Sequence, residues 1–253
     1  MKISVCIATY NGAKHIKKQL DSILHQDLSA FPSAELEIII SDDGSTDNTV
    51  NIIEGYNDNR IRLLHHRQDK THRYHAALYA ATANFGYAMS HATGDYIFLS
   101  DQDDVWYPDK ISKTLQVLTD KGGVVATAFD LIDEHSEKII GDVTYSLGSF
   151  WKPRRGFIYG FSCGITREEM RYILPMPDVP QHDIFIHLLA QKRNKLHVIN
   201  SKCAAHRWGG ENTSNSANEV PVYVKIISRL KIYAIVLYRT IFPKHDSLSC
   251  SKS

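Results

Sequence analysis

The chain has 253 residues, of which 43% are hydrophobic and 23% are charged, as in ordinary soluble proteins. This length suits one large α/β domain or two closely fused halves. A net charge of +1 gives no argument for nucleic-acid binding, so we expect no nucleic-acid partner. The four cysteines form no Cys-x-x-Cys pair, which disfavours a zinc site and fits reduced thiols in a cytosolic protein.

The first half of the chain alternates strand and helix patterns. Short apolar runs predict strands at 3–8, 36–40, 61–64, 96–99 and 124–129. Helical spacing predicts helices after Asn11-Gly12, at 46–54, at 74–91 and from Asp109 onward. The run at 3–8 is too short for a signal peptide, and no stretch is long enough to cross a bilayer. The alternation predicts a mostly parallel, doubly wound sheet flanked by helices.

The second half is less regular. Its patterns predict loops and short strands over 147–164, a short helix at 184–190, a strand at 196–199 and a polar loop at 207–218. A final helix is expected over 220–242, which contains no Asp or Glu. Such a basic amphipathic helix can lie on an anionic membrane. A helix docked on the core, or a dimer contact, explains the pattern equally well.

Polar residues follow three of the predicted strands. They are Thr9 to Asn11, Asp42-Asp43, and Asp101 to Asp104. Ligands of doubly wound sheets bind beyond the carboxyl ends of the strands, so we expect these side chains to share one site. Asp42-Asp43 could accept hydrogen bonds from a nucleoside, or could form an Asx turn or helix cap.

The acidic run 101–104 is the strongest local feature. Its three carboxylates repel one another unless a cation or solvent relieves them, and Mg²⁺ or Mn²⁺ shared with a diphosphate would do so. A solvated acidic turn before the helix at Asp109 is the alternative. Trp106 and Ser112 stand where an EF-hand loop needs Gly and Glu. No G-x-G-x-x-G run follows the first strand, which disfavours a Rossmann dinucleotide site.

Three segments together resemble the family 2 glycosyltransferases. They are Ser-Val-Cys-Ile-Ala-Thr-Tyr-Asn-Gly at 4–12, Ser-Asp-Asp-Gly-Ser-Thr-Asp at 41–47, and 94–106, which ends in Ser-Asp-Gln-Asp-Asp-Val-Trp. The resemblance runs over residues 1–210 with order and spacing kept. It implies the GT-A fold and sugar transfer from a nucleotide-sugar donor with inversion. The Asp-Gln-Asp-Asp-Val-Trp variant is similar to the branch that builds bacterial surface polysaccharides.

The resemblance also implies roles for individual residues. Nucleotide and donor contacts fall on Thr9, Asn11, Asp43, Asn84, Gly86, Asp101 and Arg207. Asp103 and Asp101 would hold Mn²⁺ or Mg²⁺, with Asp104 as a nearby candidate. The acceptor side falls on Ser162, Cys163, Gly164 and Trp106.

Asp183, in the segment Gln-His-Asp at 181–183, is implied as the general base that takes the proton of the acceptor hydroxyl. A helix N-cap would explain an Asp there equally well. His182 is expected to be structural. We expect 1–118 to form the nucleotide-sugar half, 119–218 the acceptor and catalytic half, and 219–253 a basic amphipathic tail.

One motif departs from the family pattern. Many relatives read Tyr-Arg-x-His-Gly-x-Asn where this chain has 206–212, and here Gly209 replaces the His that would hold the diphosphate or the metal. His206 could substitute, but the pattern does not favour it. The polar loop 207–218 is expected to close over the donor and exclude water.

The sequence therefore predicts a metal-dependent inverting glycosyltransferase, cytoplasmic or peripheral on the inner face of the cytoplasmic membrane. UDP-hexoses and UDP-N-acetylhexosamines are the first expected donors and dTDP-rhamnose the next. The acceptor would be a glycan or a polyprenol-diphosphate-linked glycan in O-antigen or capsule synthesis. One later Asp beside an Asp-x-Asp pair favours transfer over hydrolysis, which needs two catalytic carboxylates. The alternatives are a sugar nucleotidyltransferase, for which no triphosphate loop is visible, and a non-catalytic nucleotide- or carbohydrate-binding module.

Overall fold

The structure is a computed structural model that describes residues 1–68, 72, 74–135, 137–148, 157–209 and 220–242. The strands in these residues are β1 (Lys2–Thr9), β2 (Glu35–Asp42), β3 (Ile61–His65), β4 (Tyr96–Asp101), β5 (Val105–Trp106), β6 (Val124–Asp133), β7 (Ile139–Val143), β8 (Cys163–Thr166) and β9 (Leu196–Trp208). The helices are α1 (Ile16–Leu24), α2 (Thr49–Glu54), α3 (Ala76–Ser90), α4 (Lys110–Lys121), α5 (Arg167–Ile173), α6 (His182–Lys192) and α7 (Val222–Ile241). A short 3₁₀ turn covers Gly160–Ser162.

The described strands form one sheet in the order β3-β2-β1-β4-β8-β6-β9-β5, and β7 also pairs with β6. β1 is parallel to both β2 and β4, β2 is parallel to β3, and β6 is parallel to β9. The antiparallel strands are β8, β7 and β5. The predicted mostly parallel sheet flanked by helices is confirmed.

The core forms where the central strands are apolar on both faces. Val5, Ile38 and Phe98 are neighbours on one face, and the next residues, Cys6, Ile39 and Leu99, are neighbours on the other. All six are at most 1% exposed, as expected for strands covered by helices on both sides. α1 contributes Ile16 and Leu20, which lie one turn apart on its inner face. The same apolar runs that predicted the strands therefore build the core.

The second half differs from its prediction in strand length. The strand predicted at 196–199 continues to Trp208, because Arg207 pairs with Ile132 and Trp208 with Asp133 of β6. Arg207 and Trp208 thus belong to β9 and not to the loop predicted at 207–218. Residues 210–218 of that loop lie outside the described residues. Neither β5 nor β7 was predicted.

The C-terminal helix forms as predicted, but its cations are not all on the surface. Arg239 is 5% exposed, and its guanidinium donates to the carbonyl oxygens of Tyr172, Ile173 and Pro175. These contacts hold α7 against the end of α5, while Ile232 and Val236 bury its inner face. In the described part of the chain, no helix is long and apolar enough to cross a membrane.

The cysteines agree with the expectation of free thiols. Cys6, Cys163 and Cys203 are buried and unpaired with one another. Cys250 lies outside the described residues.

Glu37 of β2 links the first residues of β1 to Thr93, which precedes β4. Its carboxylate accepts hydrogen bonds from the Ser4 hydroxyl and the Thr93 N–H at 2.5 and 2.7 Å, and pairs with Lys2 at 2.7 Å. Burial opposes the charge of Glu37, but these hydrogen bonds outweigh it and lower the pKa of the carboxyl from 4.5 to about 2.

Glu37→Gln should lower the free energy of unfolding at neutral pH by about 1–2 kcal/mol, because a charged acceptor is lost. The folded pKa lies below the unfolded one, so the stabilisation is present above the unfolded pKa and is lost as the pH falls towards about 2. Urea unfolding between acid and neutral pH measures both effects. Glu35→Gln, on an exposed residue of the same strand, is the control. A pH dependence of stability that is identical in Glu37→Gln and the unmodified protein would contradict this account.

Candidate active site

Parallel pairing brings the carboxyl ends of three strands to one edge of the sheet. Thr9 of β1 lies opposite Asp42 of β2, and Ala8 lies opposite Asp101 of β4. A cavity of about 670 Å³ opens beyond these ends. Seven residues predicted for the site line it: Thr9, Asn11, Asp43, Asn84, Asp101, Asp103 and Asp183.

The loop after β1 is fixed to the loop after β2. Asn11 has a φ of 49°, a conformation that asparagine tolerates better than most residues. Its N–H donates to the Ser45 hydroxyl at 2.9 Å, and its side-chain oxygen accepts from the Thr46 N–H at 2.8 Å. These contacts hold Asn11 at the cavity wall, so its side chain is occupied with shaping the loop.

The two neighbouring aspartates after β2 do different work. Asp42 accepts hydrogen bonds from the N–H groups of Gly44 and Ser45, which is the Asx turn that the sequence left open. Asp43 is the one that lines the cavity, and it accepts a hydrogen bond from the Gln68 N–H at 3.0 Å. Asp43 is thus at the cavity wall, and its contact with a nucleoside stays a prediction.

Asn84 and Gln102 join the strand ends at the cavity floor. The Asn84 amide donates to the carbonyl oxygens of Ser41 and Thr9 at 2.9 and 3.3 Å. The Gln102 side-chain oxygen accepts from the Thr9 hydroxyl at 2.6 Å and from the Tyr10 N–H at 2.9 Å. Gln102 thus ties the acidic run to the loop after β1, a role that the sequence did not indicate.

The acidic run carries unfavourable charge at this position. Burial, and then repulsion from Asp104 and Asp103, raise the pKa of Asp101 well above its ordinary value. Burial and the Asp104 charge raise the pKa of Asp103 to about 6. The protein therefore holds two carboxylates at the cavity that gain stability from any cation that neutralises them.

Asp104 faces a different partner. Its Oδ1 lies 2.7 Å from Nδ1 of His206, and its side chain is fully buried. Burial opposes the charge of His206, but Asp104 outweighs it and raises the pKa of the imidazole to about 9. His206 lines the cavity, so the histidine that the sequence pattern did not favour is a member of the site.

Asp183 lines the cavity from the first turn of α6. The N-cap position belongs to Gln181, and Oδ1 of Asp183 accepts from the N–H of Ile184 at 2.8 Å. Asp183 therefore does not occupy the N-cap. Gln181, His182 and the backbone at Gly160 line the same wall of the cavity.

Several predicted contacts lie elsewhere. Gly86 packs against the Met176 side chain and does not line the cavity. Arg207 is 3% exposed, pairs with Glu137 at 2.9 Å and lines a small neighbouring cavity that also touches Asp103. Gly209 has a φ of 120°, a conformation that favours glycine and would strain the family histidine.

The residues predicted for the acceptor side lie in the core. Ser162 and Cys163 are at most 1% exposed, and a side chain at Gly164 would collide with Thr114. Trp106 is 2% exposed and packs near Phe98 at 6.1 Å between ring centroids. None of the four lines the described cavity, because Ser162 lies in the 3₁₀ turn and the other three lie in the buried strands β8 and β5. Their acceptor role stays a prediction. Tyr159 and Gly160, just before β8, line the cavity instead.

Comparison with known proteins identifies the family. The model of glycosyl transferase family 2 matches residues 4–170, about two-thirds of the chain. This chain belongs to glycosyl transferase family 2.

Relatives of this family 2 glycosyltransferase are similar over different shares of their length. An uncharacterized glycosyltransferase of Nostoc sp. is 28% identical over 236 residues, which are 86% of this chain and 68% of the relative. The dTDP-rhamnosyl transferase RfbG of Shigella flexneri is 36% identical over 44% of this chain and 36% of its own length. The poly(ribitol-phosphate) beta-N-acetylglucosaminyltransferase TarS of Staphylococcus aureus is 33% identical over 55% of this chain and 20% of its own length.

Solved structures show the same fold. S. aureus TarS 1–349 in complex with UDP-GlcNAc superposes with a TM-score of 0.67 at 16% identity, over 98% of this chain and 69% of that one. The mannosyltransferase PcManGT from Pyrobaculum calidifontis, in complex with GDP-Man and Mn²⁺, superposes with a TM-score of 0.58 at 17% identity, over 94% and 64%. The predicted GT-A fold of the family 2 glycosyltransferase is confirmed.

The donor set of the site fits a divalent cation only in part. Among the described residues, no group of three His, Cys, Asp or Glu side chains is arranged to hold a metal. Asp101 and Asp103 nevertheless offer carboxylate oxygens whose raised pKa values mark uncompensated charge. Mg²⁺ and Mn²⁺ accept one or two carboxylates and complete their coordination with phosphate oxygens and water. The residues present therefore fit a cation that is shared with a diphosphate ligand.

The backbone at Gly160 sets the place of His182 beside Asp183. A Cβ at Gly160 would collide with the His182 ring, which already packs on Phe85 at 4.4 Å between centroids. Gly160→Ala should therefore lower the free energy of unfolding by about 1–3 kcal/mol. Urea unfolding measures the change. Gly141→Ala is the control, because its Cβ would meet only Leu131 at an ordinary 3.6 Å. Equal stability of the two variants would contradict this account of the wall.

Proposed function

We propose that this chain transfers a sugar from a nucleotide-sugar donor to an acceptor hydroxyl, with inversion at the sugar carbon. The observation that supports this most strongly is that the Asp101–Asp103 pair, Asp43 and Asp183 line one cavity. Its volume of about 670 Å³ suits a small organic ligand. Relatives described as acting on nucleotide sugars support the same activity.

The donor would lie across the strand ends. Asp43 would accept a hydrogen bond from the nucleoside, and Asn11 would shape the loop beneath it. Asp103, with Asp101, would hold Mn²⁺ or Mg²⁺, which acts as a Lewis acid that stabilises charge on the departing nucleoside diphosphate. UDP-hexoses or UDP-N-acetylhexosamines are our first candidate donors, and dTDP-rhamnose is the next.

Asp183 would act on the acceptor. Its carboxylate would take the proton of the acceptor hydroxyl while that oxygen forms a bond to the anomeric carbon and the bond to the diphosphate breaks. We place the donor half at 1–118 and the acceptor and catalytic half at 119–218. Tyr159 and Gly160 replace Ser162 to Gly164 as the candidate acceptor-side wall.

Donor binding and turnover test this assignment. Titration calorimetry and donor hydrolysis are measured with UDP-, dTDP- and GDP-sugars, in Mn²⁺ and in EDTA. One donor should bind with Mn²⁺, and Asp103→Ala should weaken that binding at least tenfold, because a direct ligand of the cation is lost. Asp183→Asn should keep donor binding and lower turnover at least a hundredfold, because the base is lost.

Two outcomes would count against the proposal. If no nucleotide sugar binds under either condition, the donor assignment is wrong. If Asp183→Asn binds donor and turns it over at the original rate, Asp183 is not the base and a binding module becomes the better reading. Asp178→Asn, an exposed aspartate of the same segment outside the cavity, is the matched control.

We further propose that the acceptor is carried by a lipid and that α7 (220–243 in the sequence prediction) lies on the membrane that holds it. Six apolar side chains of this helix are each more than half exposed: Tyr223, Ile226, Ile227, Leu230, Tyr238 and Ile241. α7 has no acidic residue, and Lys225 is exposed on it. Arg229 stacks on Phe157, and Lys231 pairs with Asp178. Such a helix suits an anionic membrane surface.

Vesicle sedimentation tests the membrane assignment. The protein should bind phosphatidylcholine vesicles that contain phosphatidylglycerol more tightly than phosphatidylcholine alone, and salt should weaken the binding. Ile227→Ser with Leu230→Ser should reduce binding at least fivefold, because two exposed apolar side chains that would insert into the membrane are lost. Ile139→Ser with Ile140→Ser changes two equally exposed isoleucines of β7 and is the control. Equal binding by both double variants would rule out α7 as the anchor.

A further inference from the structure

The cavity has few groups that could meet a diphosphate. Among the described residues that line it, none is Lys or Arg, whereas Asp43, Asp101, Asp103 and Asp183 are acidic. Arg207, the cation predicted for this task, is turned into the neighbouring cavity and pairs with Glu137. A diphosphate that entered this cavity would therefore meet mainly negative charge on the described wall.

Two imidazoles line the cavity, and their surroundings differ. Burial keeps His182 neutral by lowering its pKa, and Phe85 covers one side of its ring. His206 instead carries a carboxylate partner, Asp104, at 2.7 Å. Its side chain keeps 14% of its surface exposed, although the rest is enclosed. His206 is therefore the basic side chain that the described wall offers to an anion.

The strand pairing explains why His206 stands beside Asp104. Val105 of β5 lies opposite Ala205 of β9, so the next pair along the antiparallel ladder is Asp104 with His206. Side chains alternate along β9, so His206 faces the cavity and Arg207 faces away from it. The register thus selects which of the two neighbouring cations reaches the ligand.

Aromatic rings fix the plane of the imidazole. His206 stacks on Phe161 with 4.8 Å between centroids and 10° between planes. Phe129 meets it edge-on at 5.8 Å, and Tyr159 lies at 5.9 Å. With Nδ1 on Asp104 and one ring face on Phe161, the imidazole has little freedom to turn. Such a fixed donor costs little ordering when an anion binds.

We propose that His206, held by Asp104 and Phe161, contacts the diphosphate of the donor directly. This inference rests on the proposed function. It assigns Asp104 to positioning His206 and not to the cation, while Asp101 and Asp103 remain the candidates for that role. It also gives the site an imidazole where Gly209 replaces the family histidine.

The test compares diphosphate with nucleoside binding. UDP, dTDP and GDP are titrated calorimetrically against the whole protein, and the tightest binder is compared with its nucleoside. His206→Phe keeps the ring stacking, and His206→Asn keeps a polar donor. Both should weaken diphosphate binding by about 10- to 100-fold, the range for a hydrogen bond between charged groups. Nucleoside binding should change less than threefold. Asp104→Asn should also weaken diphosphate binding more than nucleoside binding, but by a smaller factor than the His206 variants.

A control variant at another histidine, and titrations with and without metal, make the test more specific. His197→Asn makes the same substitution on the same strand outside the cavity, and it should bind like the unmodified protein. The loss in the His206 variants should persist in EDTA, because the contact is direct. Thermal unfolding of every variant confirms that each is folded under the conditions of the titration.

Three results would overturn the inference. Unchanged diphosphate affinity in His206→Phe shows that the imidazole makes no contact. Equal loss of diphosphate and nucleoside binding shows a purely structural role. A loss that appears in Mn²⁺ and vanishes in EDTA shows that His206 acts through the cation. If the unmodified protein binds no nucleoside diphosphate, the proposed function itself fails, and that result is separate from these three.

Discussion

The site depends on one constraint, the parallel pairing of β1 with both β2 and β4. That register sets Thr9 beside Asp42 and Ala8 beside Asp101, so three loops must leave the sheet at one edge. Packing fixes this register, because a slip by one residue would move every side chain of a strand to the opposite face of the sheet and into the wrong packing partners. The apolar core therefore holds polar and acidic loops together at a place where they would not collect by themselves.

Crowding of carboxylates is the cost of this arrangement. The run after β4 lies where burial and mutual repulsion disfavour its charges, and a folded protein keeps such a cluster only with compensation. Part of that compensation is internal, since Asp104 has His206 as a partner. The carboxylates of Asp101 and Asp103 would be neutralised by a bound ligand. The electrostatic repulsion that destabilises the empty site would therefore be relieved by a bound cation.

Local patterns in the sequence were enough to locate most strands of the sheet and seven of the residues that line the cavity. Apolar runs located β1, β2 and β4, and the polar residues that follow them indicated one shared edge. The family motifs did not show whether a side chain faces the cavity or the core. Ser162 ends the 3₁₀ turn and Cys163 and Gly164 begin β8, and all three are packed in the core although the segment was expected near the acceptor. His206 was beyond local reasoning, because its place depends on a ladder between β5 and β9, about a hundred residues apart in the chain.

The brevity of β5 has a consequence for recombination among relatives. This strand has two residues, and its pairing with β9 joins the segment after the acidic run to the segment near the end of the sheet. A chimaera that takes residues around Asp104 from one parent and residues around His206 from another would join halves that never adapted to each other. A chimaera should therefore take both segments from the same parent, although they are far apart in the chain.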